Sequence, residues 1–294
     1  MLPILFIPLF IVVVGGNHAV VGNYSQLNTP LCGLRRVRHS IDSDCLVWHH
    51  METPSLTHAR NGTLGDAPWT VLITVITLNE FKWLSCTGTI ISSKWILSAA
   101  HCFKDELKVN VFRVYFGYNY TYNQVTQLNN YRLVKHYYIH PNYNNVDPSV
   151  YDICLLELQT EIPVQTDGDY YVTNSICLPA RNVRPTDSEY LLMAGYGIPY
   201  TTVNNIPIQF SVRQTIVPNN DNNTFMKHKS INDGLVCIGD SGAGLWQYVD
   251  EKAVLIGVHS NSPNKKANNC SVHPNIGNAV QVSKHIDWII NYIH

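Results

Sequence analysis

From residue 68 onward, apolar and polar positions alternate in short runs separated by turn-forming residues. The stretch 71–77 is rich in β-branched residues, and 88–92 and 95–99 flank a Ser-Ser-Lys turn, which reads as a hairpin. Runs at 111–117, 133–139 and 153–158 continue the series. After a break near 177–185 come 190–194, 209–217, 244–248 and 254–258. Short strands joined by turns predict an all-β barrel or sandwich. The period changes at the end of the chain. Val282, Ile286, Ile289 or Ile290, and Ile293 share one helical face, so 282–294 predicts a helix.

The other end is apolar without a period. Residues 1–14 are almost wholly apolar, too short to span a membrane comfortably, and followed by Gly15-Gly16. This predicts a signal peptide, assigned to 1–22. Residues 23–60 show no clear periodicity and read as a pro-segment, leaving 61–294 as the main unit. No second apolar run of spanning length follows, so the mature protein is expected to be secreted and to lack a membrane span. Eight cysteines fit an oxidising compartment. Five Asn-X-Ser/Thr sequons, at Asn23, Asn61, Asn119, Asn222 and Asn269, agree with secretion.

Composition narrows the function classes. Charged residues make up 14%, and 20 Lys+Arg against 21 Asp+Glu leave a net charge of −1. Nucleic-acid binding needs a concentrated basic surface, which is absent. The one small cluster, Arg35, Arg36 and Arg38, reads as a solvated or protease-cut linker. The 13 histidines show no metal-ligand spacing, so neither a metal nor a cofactor is expected.

The candidate chemistry centres on Cys237-Ile238-Gly239-Asp240-Ser241-Gly242-Ala243-Gly244. Glycines two before and one after Ser241 allow a tight turn and close approach of backbone to a substrate. Such a turn presents a serine oxygen beside the amides of Gly239 and Ser241, a nucleophile next to an oxyanion hole. Alone, the stretch reads equally well as a Gly-Asp-Ser surface turn. Two further motifs weigh against that. Upstream lies Leu97-Ser98-Ala99-Ala100-His101-Cys102, and between the two lies Tyr151-Asp152-Ile153-Cys154-Leu155-Leu156. His101, Asp152 and Ser241 follow one of the three chain orders in which the hydrolytic triad recurs.

With these three motifs, the chain from residue 68 to its end resembles the chymotrypsin/trypsin-like serine proteases. The resemblance implies two packed antiparallel β-barrels with a C-terminal helix and the active site between the barrels. It implies Ser241 as nucleophile, His101 as general base and Asp152 as the group that orients His101. Gly239 and Ser241 would form the oxyanion hole, and Asp240 would be the partner of a newly released N-terminal amine. Leu235 falls at the family's pocket floor, Ser260 beside the pocket at the serine that usually hydrogen-bonds the catalytic aspartate, Ser262 in the wall segment that follows, and Gly277 at the entrance. An apolar floor cannot repay the desolvation of a substrate cation, so an apolar or aromatic residue is expected before the scissile bond. The expected partners are a protein or peptide substrate and, by analogy, a serpin-like protease inhibitor.

The resemblance also suggests disulfides. Cys86 and Cys102 match the histidine-loop bridge, and Cys237 and Cys270 would join the serine loop to the loop beside the pocket. Cys32-Gly33 resembles the opening of family propeptides, and Cys177-Leu178-Pro179 matches its linker partner. Cys32–Cys177 is therefore expected, with Cys45–Cys177 as the alternative. Cys154 reads as a buried free thiol.

Several residues depart from the family pattern. Counting back from Pro68 to the family's mature start reaches Leu56-Thr57-His58-Ala59, with no basic residue ahead of Leu56. Asn261-Ser262 replaces the usual Trp-Gly, and Ala243-Gly244 the usual Gly-Pro. The sequence thus supports a secreted serine endopeptidase first. A non-catalytic homologue acting as a binding or decoy protein is the alternative, and an esterase using the same triad is a third reading.

Overall fold

The structure is a computed structural model that describes residues 21–25, 27–35, 60–61, 65–77, 84–103, 110–117, 130–144, 151–183, 185, 190–197, 209–216, 225–231, 235–262 and 276–293. Six strands close the first barrel: β2 (Thr70–Thr77), β3 (Leu84–Ser92), β4 (Trp95–Ser98), β5 (Asn110–Tyr115), β6 (Tyr131–Ile139) and β7 (Cys154–Leu158). They run in the order β2-β3-β4-β7-β6-β5, every pairing antiparallel. The hairpin read at the Ser-Ser-Lys turn is the β3–β4 pair. A small β8 (Gln165–Asp167) and β9 (Tyr170–Thr173) hairpin follows.

The second half is a seven-stranded sheet of β1 (Arg60–Asn61), β10 (Tyr190–Gly195), β11 (Gln209–Ile216), β12 (Phe225–Ser230), β13 (Gly244–Val249), β14 (Lys252–Asn261) and β15 (Ile276–Gln281). Its order is β1-β11-β10-β13-β14-β15-β12, and a further β11–β12 pairing returns the path on itself. The molecule is thus all-β with the trypsin-like double-barrel arrangement. Between the halves, Trp69 and Trp246 meet edge to face with ring centroids 5.3 Å apart, both fully buried.

The predicted terminal helix divides in two. Residues Val282–Lys284 form a 3-10 turn and Ile286–Tyr292 the helix α1, with His285 between them at φ −113°. Ile289 rather than Ile290 is the fully buried position, alongside Val282, Ile286 and Ile293. Strand β14 reads as a continuous apolar run because both its faces are covered.

Part of that cover comes from the segment assigned to the pro-region. Cys32 is bonded to Cys177, and Leu27, Cys32 and Leu34 are buried. The Ala253 N–H donates to Gly33 O at 2.9 Å, and the Gly33 N–H to Ser175 O at 2.8 Å. Asn28 bridges in both directions, its Nδ2 donating to Leu178 O and its Oδ1 accepting from Leu178 N. Asn174 Nδ2 donates to Leu31 O and Leu34 O. Val21 pairs with Pro179, so the end of the stretch read as a leader also lies against the linker.

Candidate active site

His101 lies on a 3-10 turn, Ala100–Phe103, that follows β4. Asp152 sits two residues before β7, and β4 and β7 are paired through Ser98 and Cys154. One strand pair therefore brings both residues to the same edge of the first barrel. The disulfide Cys86–Cys102 ties the histidine turn to β3. Both sulfurs being spent on that bond, the nearby His101 is left without thiolate partners for a metal.

The Asp152 carboxylate is fully buried and accepts three hydrogen bonds. His101 N donates to Oδ1 at 2.8 Å, and Oδ2 accepts from His101 Nδ1 at 2.7 Å and from Ser260 Oγ at 2.6 Å. A carboxylate only accepts, so Nδ1 carries the imidazole proton and Nε2 keeps its lone pair. The His101 side chain is 35% exposed, so that lone pair can meet a substrate. Ser260 was matched to the serine that hydrogen-bonds the catalytic aspartate, in the segment beside the pocket. Its hydroxyl serves Asp152, as the family serine at that position does, and its carbonyl accepts from Ser241 Oγ at 3.4 Å. Among the described residues, no hydrogen bond joins Ser241 to His101.

Ser241 comes from the second barrel, between glycines in the left-handed region, Gly239 at φ +103° and Gly242 at φ +87°. A Cβ on Gly242 would come within 2.2 Å of Thr87 O, so only glycine lets the serine turn rest on β3 there. The turn is held by its own backbone. Asp240 N donates to Cys237 O and Ala243 N to Asp240 O, while Gly242 N reaches His259 O at 2.7 Å. Among the described residues, the N–H groups of Gly239 and Ser241 donate to no protein acceptor. Two adjacent unengaged N–H donors beside a serine hydroxyl can receive an oxyanion.

Asp240 is also buried, and its carboxylate accepts from Gly197 N and Cys237 N, each at 2.8 Å. Gly195 and Gly197 make the space. A Cβ on either would lie 2.1 Å from an Asp240 oxygen. The sequence reading missed these glycines, although Gly195-Tyr196-Gly197 at a strand end was the available signal.

In the pocket region Leu235 is half-buried, Val236 is buried, and Ile238 is 47% exposed beside Gly239. Two buried histidines, missed by the sequence reading, stand behind Gly277. His228 Nε2 and His259 Nδ1 are 3.1 Å apart, so one ring donates to the other. A Cβ on Gly277 would come within 2.5 Å of His228 and 3.0 Å of His259, which gives that glycine a packing reason. Ser262 Oγ is buried with no partner among the described residues.

Cys237 is disulfide-bonded, while Cys270 and Cys45 lie outside the described residues. Cys154 is free and buried, and burial pushes its thiol well above the usual range. Of the sequons, Asn23 is exposed and Asn61 lies in β1; Asn119, Asn222 and Asn269 lie outside the described residues. No described helix is long and apolar enough to cross a membrane.

A double-barrel fold with a His-Asp pair facing a Gly-Asp-Ser-Gly turn defines the trypsin-like class. Residues 57–289 match the trypsin family model, and the chain belongs to that family. It is 27% identical to mouse (Mus musculus) serine protease 28 over 254 residues, covering 78% of this chain and 85% of that protein. It is 28% identical to bovine (Bos taurus) coagulation factor XI over 240 residues, covering 77% of this chain but 36% of that protein. Among solved structures, a scabies mite inactivated protease paralogue shares the fold. Its TM-score is 0.60 at 20% identity, over 81% of this chain and 99% of that one.

Proposed function

We propose that the protein is a secreted serine endopeptidase that cleaves peptide bonds through an acyl-enzyme. The observation that carries this reading is the coincidence of a base with its Nε2 lone pair available, a serine and two unengaged N–H donors at one junction of the barrels. Ser241 Oγ turns from Ser260 O to His101 Nε2 and attacks the substrate carbonyl carbon. Its proton passes to Nε2, and the carbonyl oxygen takes negative charge against the Gly239 and Ser241 N–H groups. His101 then gives the proton to the leaving amine as the C–N bond breaks. Water, activated by the same imidazole, releases the acyl group. Asp152 holds the His101 tautomer throughout.

The residue before the scissile bond is apolar or aromatic in this reading. Leu235 and the exposed Ile238 both favour an uncharged side chain. Peptide amides with Phe or Leu at that position should turn over faster than those with Arg or Lys. Secretion, glycosylation at the sequons, zymogen processing ahead of residue 61 and a serpin-like inhibitor belong to the same proposal.

Fluorophosphonate labelling of the secreted protein, beside Ser241→Ala, tests the chemistry. Labelling that disappears in the variant is the expected result. The Ser241 hydroxyl resting on Ser260 O rather than on His101 favours a second reading, a non-catalytic homologue that binds without cleaving. The fold likeness to an inactivated paralogue lends that reading some weight. Absence of labelling and of amide turnover would select it.

A further inference from the structure

Asp152 is reached from the second barrel by a chain of two amides. Ser260 Oγ donates to Asp152 Oδ2 at 2.6 Å, and the same hydroxyl oxygen accepts from Asn261 Nδ2 at 3.2 Å. Asn261 Oδ1 accepts from Asn278 Nδ2 at 2.9 Å. Two features of the sheet build this chain. Asn261 and Asn278 stand directly opposite each other on β14 and β15, where cross-strand side chains come closest. Neighbouring side chains on a strand ordinarily point to opposite faces. The register of β14 shifts between His259 and Asn261, and that irregularity lets Ser260 and Asn261 meet.

The direction of every bond follows from the buried carboxylate. A carboxylate only accepts, so the single hydroxyl hydrogen of Ser260 goes to Asp152. The Ser260 oxygen must then accept from Asn261, which turns that amide with Nδ2 toward Ser260 and Oδ1 toward Asn278. Asn278 answers with Nδ2. Reversing either amide, or both, would set oxygen against oxygen along the line. The order holds although it leaves Asn278 Oδ1 buried with no partner among the described residues.

An oxygen that accepts a hydrogen bond gives its own hydrogen more strongly, so the amides reinforce the bond from Ser260 to Asp152. The Asn261 N–H also closes its side to the hydroxyl hydrogen. Oδ2 is the atom that accepts from His101 Nδ1 as well. A firm donor from Ser260 therefore spreads the charge on Oδ2 and fixes the direction in which it meets the imidazole.

We propose that Asn261 and Asn278 are positioning residues for the Asp152 carboxylate, a two-amide relay that sets how Asp152 holds His101. The inference rests on the endopeptidase reading of the Ser241 site. Neither asparagine side chain is hydrogen-bonded to Asp152, His101 or Ser241. Both act through Ser260.

The test uses the full chain. Asn278→Leu removes the outer donor without adding charge. Asn261→Leu removes both links, and Asn261→Asp keeps the shape while setting an acceptor against Ser260 Oγ. Asn130→Asp is the control, because Asn130 Nδ2 donates to Phe116 O, outside this network. The readouts are kcat and KM on a peptide amide across pH, melting temperature, and the proton resonance of His101 Nδ1–H, which lies far downfield when an imidazole is held by a carboxylate. At neutral pH kcat should fall about 3- to 10-fold in Asn261→Asp, less in Asn261→Leu and least in Asn278→Leu. KM in Asn278→Leu should stay within about twofold, because the change acts through Asp152. A carboxylate with a weakened donor favours the protonated imidazole, so the acid limb of the kcat profile should move up by about half a pH unit. The Nδ1–H resonance should move downfield in the same order of variants. Asn130→Asp should match the parent in profile and resonance.

An unmoved acid limb and an unmoved resonance in Asn261→Asp, with melting alone lowered, would overturn the proposal and leave the asparagines as sheet contacts. So would a shift shared equally by Asn130→Asp. If the Asn261 variants fail to fold, the limb and resonance of Asn278→Leu decide alone. If the parent turns over no amide, the endopeptidase reading fails separately. The resonance then decides: displaced in Asn278→Leu keeps the relay, unmoved removes it.

Discussion

Two buried aspartates, one in each half of the molecule, are satisfied in opposite ways. Asp152 takes its bonds from the side chains of His101 and Ser260 and from one backbone N–H. Asp240 accepts from two backbone N–H groups, those of Gly197 and Cys237. Side-chain partners can turn and exchange protons, so Asp152 is built to govern a moving group. Backbone donors cannot turn without moving a strand, so Asp240 is built to hold shape. The same residue type thus supports reactivity in one place and rigidity in the other. Nothing about an isolated aspartate in the sequence tells the two apart.

The largest separation between the two roles should come from Asp152→Asn. The amide can no longer hold His101 with the proton on Nδ1, and kcat on a peptide amide is expected to fall on the order of 10^4-fold. Thermal unfolding should move far less than activity does. Asp240→Asn should show the reverse balance. An amide nitrogen would face Gly197 N or Cys237 N, donor against donor, leaving a buried group unsatisfied at a cost of about 1–3 kcal/mol. Melting should drop by several degrees, with labelling of Ser241 falling beside it. If Asp240→Asn left the melting temperature alone while abolishing labelling, the division of roles would collapse.

The all-β class was legible from the spacing of short strands, which left barrel and sandwich open, and the two-barrel arrangement came from the family resemblance of the three motifs. Strands β1, β8, β9, β12 and β15 were not read. In β12 the inward positions are Met226 and His228, set among exposed lysines, so the run looks polar by composition while keeping its period. His101, Asp152 and Ser241 were legible as motifs in order. Gly195, Gly197, His228 and His259 were not. Their roles arise from contacts between segments at least 31 residues apart, as for His228 and His259.

A smaller effect should appear in acid, away from both aspartates. Burial pushes His285 down to about 4, with His140 beside it adding to the shift, and burial lowers His140 as well. Both are packed against Tyr151, and His140 against Trp288. A histidine whose folded value lies below its ordinary 6.5 favours the neutral form in the fold. Its stabilisation is complete above pH ~6.5 and drains away as the pH falls toward 4. For His285 the loss is roughly 3 kcal/mol. Melting curves from pH 7 to 4.5 should show it, and His285→Gln should flatten the slope.

The smallest effect concerns Cys154, two residues after Asp152. Its buried, protonated thiol should resist iodoacetamide in the folded protein and react only after unfolding. Alkylation of the native protein would mean that water reaches the Asp152 edge, against the dry setting drawn here.

The anchoring of residues 21–35 has a consequence for what a protease would leave behind. A cut anywhere between 36 and 59 would produce two polypeptides, with the shorter still bonded through Cys32 to Cys177 and seated on β14. On a non-reducing gel the nicked material would run as one species, and reductant would split it. Any cargo carried at the amino end would therefore stay with the two barrels after processing and come free only in a reducing setting.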